Sequence, residues 1–146
     1  MRRLLAIIAT AAALVVGGAI APTAASAAAY EANYAVSASY IQGDCIGTQE
    51  LDGCFKKYGD QWGSQSWSSG TTRLEWQNQL WNGSRWVLYR EGVCINNLGL
   101  GEPGVCNKDY YEDSSLNAYG SYGSRVRMSL CNTTCSGWSS WLYNNA

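Results

Sequence analysis

Apolar and polar residues alternate with a period of two along much of this chain, the spacing of strands that bury one face. From Tyr34 to Ile41 the pattern puts Tyr34, Val36, Ala38 and Tyr40 on one side and Ala35, Ser37 and Ser39 on the other. Phe55 to Tyr58 reads as a short strand ended by Gly59-Asp60. Gln61 to Trp67 is a second, interrupted at Gly63, and Ser68-Ser69-Gly70 is a turn. Ser124 to Cys131 alternates without a break, with Val126, Met128 and Leu130 inward and Arg125, Arg127 and Ser129 outward. Trp138 to Tyr143 makes a final strand. No window sustains a helical period. About six or seven short strands imply an all-β domain, a small antiparallel β-sandwich or barrel.

The best-specified element is a hairpin, Thr72 to Trp81 and Ser84 to Val93 around Asn82-Gly83. Asn-Gly supplies the two positive φ angles of a type I′ turn. A two-residue loop sets Trp81 opposite Ser84, Gln79 opposite Trp86, Trp76 opposite Tyr89 and Glu75 opposite Arg90. A one-residue slip would place Glu75 against Glu91, and like charges facing each other destabilise a ribbon. This register gives a core face of Leu74, Trp76, Leu80, Val87, Tyr89 and Val93, interrupted by Asn78. The other face carries Glu75, Gln77, Gln79, Trp81, Trp86, Leu88 and Arg90. Cys94 falls on the Trp86 face, so that face is expected to be partly covered.

Two stretches lack alternation. Asn96 to Gly104 is a loop with Gly99, Gly101 and Pro103. Asn107 to Gly123 is a longer one holding Tyr110, Tyr111, Tyr119 and Tyr122. Structureless loops of that length are unusual in a small domain unless functional, so part of it is expected to form a helical turn or an extra strand.

The first 27 residues change the picture of the whole. Met1-Arg2-Arg3 is a short basic start, Leu4 to Ile20 is apolar apart from Thr10 and Gly17-Gly18, and Ala25-Ser26-Ala27 is a small-residue cleavage site. This is the layout of a secretory signal peptide. The apolar run is shorter than the roughly 20 residues a spanning helix needs. The mature chain is then a single secreted β domain, residues 28–146. Arg2 and Arg3 leave with the leader, so eight basic residues face eleven acidic ones, a net charge of −3. Without clustered cations, nucleic acid and anionic membrane are poor partners.

All six cysteines, Cys45, Cys54, Cys94, Cys106, Cys131 and Cys135, lie beyond the leader. An even count in an exported domain reads as a disulfide framework. Fifteen pairings are open. The nearest-neighbour set, Cys45–Cys54, Cys94–Cys106 and Cys131–Cys135, brackets turn-rich stretches and is the favoured one. Zinc is a weaker reading, since no pair has knuckle spacing and the chain has no histidine.

The absence of histidine also removes the usual base for a serine or cysteine nucleophile. A carboxylate pair remains conceivable as a glycosidase site, and Asp109, Glu112 and Asp113 are the densest acidic group. Their plainer reading is a solvated loop, and no recognised spacing supports calcium there. No cofactor is implied. Seven Trp and ten Tyr against one Phe are the feature most open to a functional reading. Sugar-binding modules lay a sugar ring on an indole and fix its hydroxyls with amides. Trp81, Trp86, Gln77 and Gln79 supply those components on one face. The competing reading is that a domain with one Phe builds its core from Trp and Tyr. Arg125 and Arg127 read as charges that keep an exposed strand from pairing with another chain. Asn82-Gly83-Ser84 and Asn132-Thr133-Thr134 match glycosylation acceptors, but the turn already accounts for Asn82. The Ala-rich leader and Cys-, Trp- and Gly-rich body resemble in style the small secreted proteins of soil-type bacteria. That resemblance carries no motif and transfers no residue.

The expected product is an extracellular, non-catalytic binding module, with carbohydrate or cell-wall glycan the leading ligand. The alternative is a protein-binding role, either a small inhibitor of an extracellular enzyme or a toxin-like effector. An inhibitor needs a rigid protruding loop, and Asn96 to Gly104 is the candidate.

Overall fold

Alternation produces strands here, and the computed structural model describes them over residues 28–145. The leader expected over residues 1–27 lies outside the described residues. Among the described residues ten strands form: β1 (Ala29–Tyr34), β2 (Val36–Ser37), β3 (Asp44–Gly47), β4 (Leu51–Lys56), β5 (Gln61–Ser66), β6 (Thr72–Trp81), β7 (Trp86–Asn96), β8 (Gly104–Asn107), β9 (Ser124–Cys131) and β10 (Leu142–Tyr143). The pattern marks fewer because β2, β3 and β8 are too short to show a period and β1 was not marked as a strand. Among the described residues there is no helix.

The strands build two five-stranded sheets. Sheet A runs β1-β7-β6-β9-β10 and sheet B runs β2-β8-β5-β4-β3. The result is an all-β sandwich stapled by three disulfides, Cys45–Cys54, Cys94–Cys106 and Cys131–Cys135. The core lies between the sheets. Leu74 and Trp76 of β6 and Val126, Met128 and Leu130 of β9 meet Leu51 and Phe55 of β4 and Trp62 of β5. The rings of Phe55 and Trp62 lie 4.5 Å apart, and the Trp62 indole N–H donates to the buried Tyr110 hydroxyl at 2.8 Å. Gly53 sits inside β4 rather than at a turn. A side chain there would collide with Leu130, so the glycine permits the close approach of the two sheets.

Every pairing is antiparallel except β1 on β7, which is parallel. The long chain between these strands permits that direction. The expected strand from Tyr34 to Ile41 is corrected here. The chain crosses from sheet A to sheet B at Ala35, which is buried and donates its N–H to the Ile95 carbonyl at 2.8 Å. Tyr34, Val36 and Tyr40, expected on one inward face, are exposed instead. A crossing between layers needs a small residue, and Ala35 lies close against Gly104. Glu31 fastens β1 to the body. Arg90 donates to it through Nε and Nη2 at 2.6 and 3.1 Å, and Lys108 through Nζ at 2.8 Å. Those hydrogen bonds, from Arg90 first, hold the Glu31 carboxyl at about 2 despite its partial burial.

The hairpin register also differs from expectation. Trp81 pairs with Trp86, Leu80 with Val87 and Gln79 with Leu88; then, after a shift, Asn78 pairs with Arg90 and Glu75 with Val93. Gly83 and Ser84, not Asn82 and Gly83, occupy the centre of the turn, and Asn82 N–H donates to the Arg85 carbonyl at 3.1 Å. Only Gly83 has positive φ, +93°, as in a turn with glycine first. The Asn82 side chain selects this placement, since its Oδ1 accepts from the Ser84 and Arg85 amides at 3.0 and 2.9 Å. Glu75 therefore faces neither Arg90 nor Glu91. Tyr89 is the extra residue of a β-bulge, and a one-residue insertion exchanges the faces of everything beyond it. Gly92 and Cys94 thus join Trp76 and Leu74 on the core side, while Val87 and Tyr89 are only partly buried. Gly83→Val is expected to cost about 1–3 kcal/mol by forcing a β-branched residue to positive φ. A shift in the urea midpoint with an unchanged slope would report it, and an unchanged midpoint would contradict the turn assignment.

Residues 108–123 contain neither helix nor strand, against the expectation of some regular structure. Buried side chains tie them down instead. Asp60 Oδ2 accepts the Tyr110 amide at 2.6 Å, and Asp60 Oδ1 accepts Asn144 Nδ2 at 3.0 Å. Asn117 Nδ2 donates to the Trp81 and Gly123 carbonyls at 2.9 and 3.1 Å. Burial raises the pKa of the Asp60 carboxyl in this position.

Candidate functional site

Alternation along β6 and β9 gives sheet A an outer face that sheet B does not cover. Glu75, Gln77, Gln79 and Trp81 point outward from β6, and Arg125 and Arg127 from β9. Gln77 is paired with Arg127 and Gln79 with Arg125. Each arginine donates both Nε and Nη2 to its glutamine Oε1, Arg125 to Gln79 at 2.9 and 2.7 Å and Arg127 to Gln77 at 2.9 and 2.6 Å. Gln77 passes the interaction on, with Nε2 donating to Glu91 at 2.9 Å. The two arginines are not on an exposed edge, because β9 lies between β6 and β10.

The chain beyond the Cys131–Cys135 bridge folds back along β9. Ser136 N–H donates to the Leu130 carbonyl at 2.7 Å and Ser139 N–H to the Met128 carbonyl at 2.8 Å, before β10 pairs with β9. The strand expected from Trp138 shrinks to Leu142–Tyr143, since the serine hydroxyls take part of the pairing. Ser139 Oγ, for example, accepts the Met128 amide at 3.1 Å.

This return lays two indoles among the guanidiniums. Trp138 lies 4.7 Å from Arg127, Trp141 lies 4.5 Å from both Arg127 and Arg125, and Trp86 lies 4.4 Å from Arg125. The order along the face is Trp138, Arg127, Trp141, Arg125, Trp86. Strand geometry accounts for the spacing. Residues i and i+2 are about 6.6 Å apart, close to twice the contact distance of stacked flat groups. One ring therefore fits between two such arginines. Each contact contributes about 0.5–2 kcal/mol.

Trp81, Trp86, Gln77 and Gln79 thus share one face. Trp86 is enclosed by Arg125, by Trp81 at 5.5 Å and by the edge of Tyr143 at 5.8 Å. Trp81 and Trp86 are inclined at 60° and do not form one flat platform. Both glutamine oxygens are occupied by arginines. At the far end of the row Trp138 is 44% exposed. One of its faces lies on Arg127, and among the described residues no other ring or cation lies against it. Trp138 and Trp141 were not legible as site residues from alternation alone. The detectable signal was the pairing of Arg-x-Arg on one strand with two tryptophans three residues apart near the end of the chain.

The acidic loop residues lie elsewhere. Asp109 and Glu112 border a cleft of about 380 Å³ with Tyr89, Arg90, Tyr111 and Ser115. Tyr89 turns toward Tyr111 and Tyr119, with ring centres 6.0 and 6.3 Å away. Among the described residues no group of three His, Cys, Asp or Glu is placed to hold a metal ion. The Asn96 to Gly104 loop connects β7 of sheet A to β8 of sheet B. Asn96 Nδ2 donates to the Ser64 and Glu102 carbonyls, Gly101 N–H donates to the Ser66 carbonyl, and Leu100 at the tip is 65% exposed.

No family model, curated protein or solved structure matches this chain.

Proposed function

We propose that the mature chain is a secreted, extracellular, non-catalytic module that binds carbohydrate or cell-wall glycan on the outer face of sheet A. The observation that carries this reading is the open indole face of Trp138 at the end of a rigid aromatic row. A sugar ring stacks on such a face by apolar contact, and the neighbouring guanidinium and amide groups supply hydrogen-bond donors for hydroxyls. Arg127 holds the Trp138 ring from behind, so little side-chain entropy is lost on binding. Trp81 and Trp86 extend the row toward the hairpin, with Gln77 and Gln79 orienting the arginines between them. The three disulfides fit an oxidising compartment.

Affinity electrophoresis of the mature protein through gels containing soluble polysaccharides tests this. Trp138→Ala is expected to keep the fold, since the ring is exposed, and to weaken binding by about 1–3 kcal/mol, the range for aromatic stacking platforms. Trp81→Ala and Trp86→Ala should weaken it less per unit of lost stability. A wild-type protein retarded by no glycan, or a Trp138→Ala variant retarded as strongly as wild type, would remove the proposal.

A second reading, inhibition of an extracellular enzyme, rests on the Asn96 to Gly104 loop. It runs from β7 of sheet A to β8 of sheet B, is bonded to β5 through Asn96 Nδ2 and the Gly101 amide, and carries an exposed leucine at its tip. Under that reading Leu100→Asp abolishes partner binding while Trp138→Ala leaves it intact, the reverse of the glycan case.

A further inference from the structure

We infer that the glycan taken by this face is anionic, bearing uronate carboxylates or sulfate esters that Arg125 and Arg127 recognise; this rests on the glycan-binding reading above. Each guanidinium spends Nε and Nη2 on a neutral amide oxygen, which orients it without neutralising its charge. Among the described residues the ion pairs are Lys57–Asp44, Arg73–Glu75, Arg90–Glu31 and Lys108–Glu31. Neither Arg125 nor Arg127 has a carboxylate partner among them, and the Nη1 of each makes no hydrogen bond there. The carboxylates of the same face are already engaged. Glu75 accepts from Arg73 at 2.6 Å and from the Tyr30 hydroxyl at 3.0 Å, and Glu91 accepts from Gln77.

These two cations differ from ordinary surface arginines. Two indole rings 4.4–4.7 Å from each guanidinium carbon and a glutamine at its edge hold the guanidinium in place, half-buried. Desolvated, oriented guanidinium edges suit planar carboxylates and sulfates, which accept two parallel N–H donors. The repeat of about 6.6 Å along β9 places two such donors in line with the open face of Trp138. A polymer with a sugar ring on that indole carries its acidic groups past the arginines in turn.

The test compares polymers of equal backbone and different charge. The mature protein is run against polygalacturonate and its fully methyl-esterified form, against dextran sulfate and dextran, and against polyacrylate as a charged chain without sugar. Binding to an acidic glycan at least tenfold tighter than to its neutral counterpart is expected, falling with added salt. Polygalacturonate preferred over dextran sulfate would assign carboxylate recognition, and the reverse order sulfate; either supports the inference. The double variant Arg125→Gln, Arg127→Gln should lose at least tenfold on the acidic polymer and most of the salt dependence. The polymer comparison with the unaltered protein stands whether or not that variant folds. Equal affinity for acidic and neutral forms would overturn the inference and leave glycan binding intact. Polyacrylate binding as tightly as the acidic glycans would reduce the face to a non-specific anion exchanger. Binding to none of the polymers would remove the glycan reading itself.

Discussion

Trp76→Ala is expected to destabilise the domain by about 4 kcal/mol, the range for deleting a fully buried large ring. That is a large part of the roughly 5–15 kcal/mol that a domain of this size possesses. Trp76 is wholly buried at the centre of β6, the middle strand of sheet A. Tyr110 packs edge-on against it at 5.7 Å, and Lys108 Nζ lies 4.7 Å above its ring. Across the ladder Gly92 leaves space for it, since a side chain at Gly92 would collide with the Glu31 carbonyl and crowd the indole. Removing the ring therefore opens a cavity that a bonded sheet cannot collapse to fill. It also uncovers the side of the Lys108–Glu31 pair that the ring shields. Trp76→Phe is the informative control. The Trp76 indole N–H is buried with no hydrogen-bond partner, and such an orphan donor costs about 1–3 kcal/mol. Phenylalanine loses volume but removes that donor, so it should cost well under half of the alanine variant. Urea melts followed by near-ultraviolet dichroism measure both. Equal losses in the two variants would mean that the indole nitrogen has a partner and that ring volume alone does not explain the site.

The second large effect is expected at the disulfide between β7 and β8. Cys94 belongs to sheet A and Cys106 to sheet B, both are buried, and the bridge spans 12 residues of sequence. Loop closure of that length is worth about 3 kcal/mol through the unfolded chain. The double variant Cys94→Ala, Cys106→Ala should lose that amount and also loosen the Asn96 to Gly104 loop. The Cys131–Cys135 bridge closes a separation of only 4 residues, so Cys131→Ala, Cys135→Ala should cost about 2 kcal/mol. That short bridge turns the chain back toward β9, so its removal should disturb the Trp138–Trp141 stack more than global stability. Thermal unfolding reports the first effect, and the tryptophan dichroism of the folded state reports the second. A Cys94/Cys106 variant as stable as wild type would show that core packing alone holds the two sheets together.

Where a residue's fate depended on its immediate neighbours, the sequence was sufficient. Ser124 to Cys131 is one strand with Val126, Met128 and Leu130 inside because an uninterrupted period of two leaves a pleated strand no other register to bury them. The cysteines pair with their nearest neighbours because short turn-rich segments keep each partner close. Gly83 takes positive φ because only glycine does so without strain.

Tertiary structure decided what depended on counting residues across a turn or on parts of the chain meeting at a distance. A side-chain amide of Asn82 moved the turn by one residue, and Tyr89 bulged to restore the core face. Both events are energetically local. The turn shift changes each partner by two residues and keeps the faces, whereas the bulge inverts the face of everything beyond it, so alternation could not foresee where Cys94 and Gly92 would point. The change of sheet at Ala35 required a small residue beside Gly104, a neighbour far along the chain. The candidate site has the same character. Arg125 and Arg127 were legible as an outward pair, and Trp86 as an outward ring. Their interleaving with Trp138 and Trp141 exists only because the end of the chain returns along β9 at a spacing that admits one flat ring between two guanidiniums.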